Sequence, residues 1–198
     1  CTMPLDVRML VPTFRPLVLP DPMAADLAGG ETGGLLCAAE LARRGHRVTV
    51  FTGVERQARW RGADLVPMQA FADMPQARAG DLMVVQHAPA AFALPHAARC
   101  AILQLHCQPT LHEVEQLRAV LPAIDRVMFV SAWQAEQYRA AMPDLPAEKI
   151  LVSRDGVDLE LVAEATAGAA ERDPFALAYL TRADRGLEVL LTQVFPLI

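Results

Sequence analysis

The sequence predicts an α/β protein: a doubly wound, mostly parallel, Rossmann-like sheet, followed by the first strand and helix of a second α/β unit. Three observations carry the prediction. Short apolar, β-branched runs recur along the chain, helical patterns fall between several of them, and one acidic, alanine-rich stretch sets the last strand and helix apart from the rest.

The first run is "VRMLVP" (7–12). Like most of those that follow, it lacks the polar alternation of a half-exposed strand and reads as covered on both faces. In "LAGGETGGLLCAAELARRGHRVTVFTG" (27–53), Leu35, Leu36, Ala38, Ala39, Leu41 and Ala42 form a broad apolar face on a helix over 33–44. Gly45 stops that helix and "RVTVFTG" (47–53) is the next strand. Segment 54–80 reads as loop and strand, and further strands follow at "DLMVVQH" (81–87) and "CAILQLH" (100–106). In "TLHEVEQLRAVLPAIDRV", Leu111, Val114, Leu117, Val120 and Leu121 fall near helical spacing, Glu113, Glu115 and Arg118 face out, and Pro122 ends the helix. "RVMFVS" (126–131) is a strand, and Ser131 with Gln134 makes a capping box that opens a helix through Tyr138 to about Met142. "KILVSRDGV" (149–157) completes the first domain, residues 1–159.

Residues 160–174, "ELVAEATAGAAERDP", mark a linker or a linking helix by their change in composition. The strand "FALAYLT" and the loop and apolar helix "RADRGLEVLLTQVFPLI" make residues 175–198 the incomplete start of another unit. A lone strand and helix cannot cover their own faces. Leu187, Leu190, Leu191, Val194 and Phe195 are therefore expected to pack on something else.

The 198 residues are 53% hydrophobic, enough for one good core, and the net charge of -5 with both signs scattered offers no basic stripe for a nucleic-acid backbone. No apolar run approaches the roughly 20 residues of a membrane span, and the first 20 residues carry Asp6, Arg8 and Arg15 in place of a signal-peptide core. A soluble, cytoplasmic protein with no transmembrane segment is expected; a homo-oligomer stays open. Four cysteines at irregular positions argue for reduced, mostly buried thiols. His106, Cys107 and His112 lack the paired ligand spacing of a zinc site, so no metal is expected.

Gly29, Gly30, Gly33 and Gly34 fit neither common phosphate motif. A dinucleotide fingerprint needs its glycines in a tight turn directly after the first strand, but Pro12 and Gly29 lie 17 positions apart. "GETGGL" also lacks the Gly-Lys-Ser/Thr of a P-loop. Two readings stay open: a plain flexible loop, or a helix start whose free N–H groups and positive dipole end suit an anion such as a diphosphate.

Four blocks then resemble, in order, those of the family-4 glycosyltransferases of the GT-B fold. "GGETGGLLCAAELARRGHRVTVFTG" resembles their Gly-Gly-x-Glu helix and following strand, "RVMFVSAWQAEQYRAAM" a later strand and helix, "KILVSRDGVDLELV" the end of their first domain, and "YLTRADRGLEVLLTQVFPLI" the opening of their second, donor-binding domain. Asp155 stands where the family usually has Asn, and Val162 where it has an aromatic. The family's Glu-x7-Glu motif would lie beyond Ile198.

The resemblance implies transfer of a sugar from a nucleotide diphosphate sugar to a sugar, lipid-linked or small-molecule acceptor, with retention at the anomeric carbon and without a cofactor. It implies that Arg182 and Arg185 grip the donor diphosphate as guanidinium forks, that Gly29 and Gly30 supply N–H donors to it, and that His106 is the active-site histidine. The isolated chain is expected to be inactive. The bland alternatives are a solvated loop for the arginines and a hydrogen-bonded strand end for His106; His87, ending the preceding strand, competes for the same role. Glu31 is favoured in a first helical turn by the dipole alone, and Ser131 reads as a cap. Trp60, between Arg59 and Arg61, is either a sugar- or lipid-phosphate-contacting group or part of a solvated basic turn. The alternative functional class is a non-catalytic α/β binding module; a nucleotide-dependent oxidoreductase is disfavoured by the missing fingerprint.

Overall fold

The apolar runs become strands in the computed structural model, which describes residues 3–167, 173, 175–179 and 186–197. The strands are β1 (Asp6–Leu10), β2 (Arg47–Thr52), β3 (Ala58–Trp60), β4 (Ala63–Pro67), β5 (Ala79–Gly80), β6 (Leu82–Gln86), β7 (Ala97–Ala98), β8 (Ala101–Leu105), β9 (Arg126–Phe129) and β10 (Ile150–Val152). Among the described residues, eight of them form one sheet in the order β10-β9-β8-β6-β1-β2-β4-β3, while β5 and β7 pair separately. Every neighbour in the large sheet is parallel except β3, which runs antiparallel to β4 at one edge. The chain divides after Gly156 into two units. The first carries α1 (Gly29–Arg43), α2 (Gln69–Asp73), α3 (Leu111–Val120) and α4 (Ala132–Ala141); the second carries α5 (Leu159–Thr166) and α6 (Leu187–Val189).

Alternation along β1 shows why both faces need helices. Val7 and Met9 point to one side, where they pack in one cluster with Leu35, Ala38 and Ala39 of α1. Leu10 belongs to the other side, with Val114, Leu117 and Val120 of α3 and Ala135 and Tyr138 of α4. The sheet is thus wound in both directions from its centre, with α1 on one face and α3 and α4 on the other, as right-handed crossovers require.

Several expectations are corrected. The helix begins at Gly29, four residues before the expected start, so all four glycines are helical. Gly45 does stop it: φ is +91° there, a conformation glycine adopts without strain, and its N–H donates to Ala42 O at 2.9 Å. Leu111 is exposed because it is the first residue of α3, ahead of the buried Val114, Leu117 and Val120. Trp60 is neither sugar platform nor solvated turn: it is a core side chain, 7% exposed, with the Arg61 guanidinium 5.1 Å above its ring. Cys37 and Cys107 are exposed, the first on an outer flank of α1 and the second in the loop after β8; Cys100 is half-buried. At Ser131 the hydroxyl accepts from Gln134 N–H (3.1 Å) as a cap should. The Gln134 carboxamide, however, accepts from Val130 N–H (2.9 Å) one residue earlier than a capping box requires.

In the second unit, Asp158 caps α5 by accepting from Glu160 and Leu161 N–H, both at 3.1 Å. Of the expected strand "FALAYLT", residues 175–179 are irregular, since no described strand lies alongside to take their backbone bonds. α6 runs on as a π-helical turn over Leu190–Val194 and a 3-10 turn over Phe195–Leu197, and none of its side chains is buried. Within this unit Leu187, Leu190, Leu191, Val194 and Phe195 are exposed or half-buried, because a single helix encloses nothing by itself.

Candidate functional site

From β1 the chain passes through α1 to β2 on one side, then returns past β1 to build β6, β8, β9 and β10 on the other. The strand order therefore reverses between β1 and β6, and open α/β sheets place ligands at the carboxyl ends of strands flanking such a reversal. Three of the singled-out residues converge there. Gly30 lies in the first turn of α1, His87 directly follows β6, and His106 directly follows β8.

α1 starts where Thr32 N–H donates to Ala28 O (3.0 Å), so the N–H groups of Gly29, Gly30 and Glu31 have no intrahelical acceptor. A Cβ added to Gly29 would meet nothing within 4 Å, whereas one on Gly30 would stand 3.6 Å from His106 Nδ1. The space before the helix start is open and the histidine borders it. Glu31 is more than a dipole-favoured residue. Buried to 7% exposure, it accepts from Phe14 N–H (2.6 Å) and Ala28 N–H (2.7 Å), tying the long 11–28 loop to the helix.

Gln86, the last residue of β6 and 3% exposed, lies on the α1 side of the sheet. Its Nε2 donates to Gly30 O at 2.7 Å, which pins the helix start over the strand end, and its Oε1 has no partner among the described residues. In register, Gln86 pairs with Gln104 of β8, and Gln104 with Met128 of β9. Two adjacent glutamines thus lead from α1 to the middle of the sheet's carboxyl end. On the far side, the Gln134 carboxamide of α4 donates to Cys107 O (2.8 Å) and fixes the loop that carries His106.

The histidines touch. His106 Nδ1 is 2.6 Å from His87 Nε2, with ring centroids 4.6 Å apart. His106 Nε2 is 3.3 Å from Asp155 Oδ1 and 3.3 Å from Gln104 Nε2. His87 holds a left-handed backbone (φ +53°), uncommon for a residue with a side chain and typical of functional sites. Although the residue as a whole is solvent-exposed, packing around the His87 ring desolvates it enough to draw its pKa down to about 4, with the charge of His106 adding to the shift and Glu113 and Asp155 opposing it. The imidazole is therefore neutral at pH 7. Asp155, His106 and His87 are strung in a line, and among the described residues no three His, Cys, Asp or Glu side chains could hold a metal ion.

Sequence reasoning singled out Gly30, His87 and His106 but not Gln86, Gln104 or the pairing with Asp155. A polar residue closing an otherwise apolar run, as in "LMVVQH" and "AILQLH", is the signal that could have found the glutamines. Arg182 and Arg185 lie outside the described residues. Two surface grooves, of about 390 and 250 Å3, lie elsewhere: one around Arg139 and Pro143, the other around Arg8, Thr49 and Asp64. No helix among the described residues is long and apolar enough to cross a membrane. No family model matches this chain, and no curated protein matches its sequence.

Proposed function

We propose that this chain is the acceptor-side part of a retaining glycosyltransferase of the GT-B type, which moves a sugar from a nucleotide diphosphate sugar to a hydroxyl acceptor. The observation that carries the reading is the placement of the α1 start beside the histidine pair, with a Gly30 Cβ position only 3.6 Å from His106 Nδ1. Glycosyl transfer needs two things side by side, donors for a departing diphosphate and an acceptor for a hydroxyl proton. A helix start with free N–H groups supplies the first, and an imidazole neutral at pH 7 supplies the second. The four sequence blocks add support from outside the geometry; Arg182 and Arg185 rest on the last of them alone.

In this reading the Gly29 and Gly30 N–H groups meet the diphosphate as its bond to the anomeric carbon breaks. Gln86 holds those groups in place through Gly30 O. The Glu31 side chain offers no donor, and its carboxylate is already engaged by Phe14 and Ala28 N–H.

The test is titration of the isotope-labelled chain with uridine, guanosine and adenosine diphosphate sugars and, separately, with nicotinamide dinucleotides. The expected result is movement of the Gly29 and Gly30 amide and His106 imidazole resonances with at least one nucleotide sugar. A response to the nicotinamide dinucleotides alone would move the protein to the oxidoreductases. No response to either would favour the non-catalytic binding module.

A further inference from the structure

We infer that His87 is the imidazole that meets the acceptor hydroxyl, and that Asp155 acts through His106 to leave His87 Nδ1 as a bare hydrogen-bond acceptor. The hydroxyl's identity as a sugar acceptor rests on the function proposed above; the direction of the hydrogen bonds does not.

Both ring nitrogens of His106 are already engaged, and its side chain is only 15% exposed. A neutral imidazole has one donor nitrogen and one acceptor nitrogen. His106 Nε2 is offered two incompatible partners at the same 3.3 Å: the Gln104 amide, which donates, and the Asp155 carboxylate, which accepts. The choice between them propagates along the chain. With the proton on His106 Nε2, facing Asp155, His106 Nδ1 is a lone pair. His87 Nε2 must then donate across the 2.6 Å contact, and His87 Nδ1 is left bare. With Gln104 donating instead, every bond reverses and His87 Nδ1 carries a hydrogen. A hydrogen bond to an ionised group is roughly twice as strong as a neutral one, so the carboxylate sets the direction.

His87 suits the exposed end of such a relay. It is exposed while His106 is not, and its Nδ1 has no partner among the described residues. Its left-handed backbone is held by its own N–H donating to Gln104 O (3.0 Å) and by the ring contact with His106. The charged groups acting on it are His106, Asp155 and Glu113 at the start of α3.

The proton balance is complete. As the acceptor oxygen bonds to the anomeric carbon, the anomeric bond to the diphosphate breaks and its electron pair leaves with the diphosphate. The hydroxyl proton passes to His87 Nδ1 and the His87 Nε2 proton to His106 Nδ1. The resulting imidazolium at His106 lies against Asp155. His87 is the catalytic residue in this scheme; His106 and Asp155 are positioning residues.

Long-range 1H–15N correlation spectra of the labelled full chain at pH 7 read the tautomers directly. Both rings are expected in the Nε2–H form in the wild type and in Gln104→Ala, and both in the Nδ1–H form in Asp155→Ala. A wild-type His87 with its proton on Nδ1 overturns the inference whether or not any variant folds, and so does an Asp155→Ala protein with unchanged tautomers. In a transfer assay with a nucleotide sugar and a hydroxyl acceptor, run on a protein in which this chain is joined to a donor-binding domain, His87→Asn is expected to lower turnover on the order of 10²-fold with little change in acceptor KM. Unchanged turnover there removes His87 from catalysis. Expected tautomers with no resonance moved by any nucleotide sugar leave the hydrogen-bond direction standing and overturn the glycosyltransferase reading instead.

Discussion

A methyl group on Gly34 would stand 2.5 Å from Gln86 Oε1 and 3.0 Å from Val11 Cγ1, so the absence of a side chain here is what lets α1 lie against the end of β6. Gly33, one residue earlier, faces open space. The same substitution at the two positions should therefore act in opposite directions. Gly33→Ala is expected to stabilise the protein by up to about 1 kcal/mol through helix propensity. Gly34→Ala is expected to destabilise it by roughly 1–3 kcal/mol through overpacking, because both neighbours are buried. Chemical denaturation of the pair checks the sign, and equal effects would mean that α1 does not sit this close.

Glu31 joins the loop to the helix start through two short bonds to backbone N–H groups. Removing its carboxylate with Glu31→Ala strands both donors, at a cost of about 2–3 kcal/mol. Amide exchange should rise at Phe14 and Ala28. Exchange unchanged at these two amides would refute the tether.

Arg78 is 6% exposed and its guanidinium donates to the carbonyls of Phe71, Ala72 and Pro95. Arg78→Met keeps the stem but leaves three carbonyls without a donor. A loss of roughly 3 kcal/mol or more is expected in urea midpoint and slope analysis, and a loss under about 1 kcal/mol would show that water replaces the guanidinium.

The His87 pKa of about 4 lies below its ordinary 6.5. Between the two values the unfolded chain takes up a proton that the folded protein refuses. Stability from this group is therefore intact above about pH 6.5 and is lost as pH falls toward 4. The thermal midpoint should drop across that window in the wild type and less steeply in His87→Asn, whose side chain tolerates the left-handed backbone. Equal slopes would argue against a desolvated ring.

The central strands and the three longer helices of the first unit were legible because burial on both sides makes their strands uniformly apolar and gives each helix one apolar face. β3 and β4 were less so. With Arg59 and Asp64 on a short edge hairpin, local pattern carries little weight there, and only the packing of Trp60 reveals its inward face. The first turn of α1 was read as loop because glycine is a poor helix former; the bond from Gln86 Nε2 to Gly30 O, a tertiary effect, outweighs that propensity. At the site, His87 and His106 were visible as strand ends. Their contact was not, because it arises from β6 and β8 being neighbours in register. Asp155 is 49 positions from His106 and comes to it only through the placement of β10 at the far edge.

The position of β1 also has a bearing on synthesis. It leaves the ribosome before either of its neighbours, yet it ends up between β2 and β6, and its second partner begins only at Leu82. A nascent chain can complete β1, α1 and β2 while one apolar side of β1 still shows unpaired N–H and C=O groups, an open template for another chain. Misassembly should therefore concentrate in chains halted before Leu82–Gln86 has emerged, and subside once that strand has closed the edge.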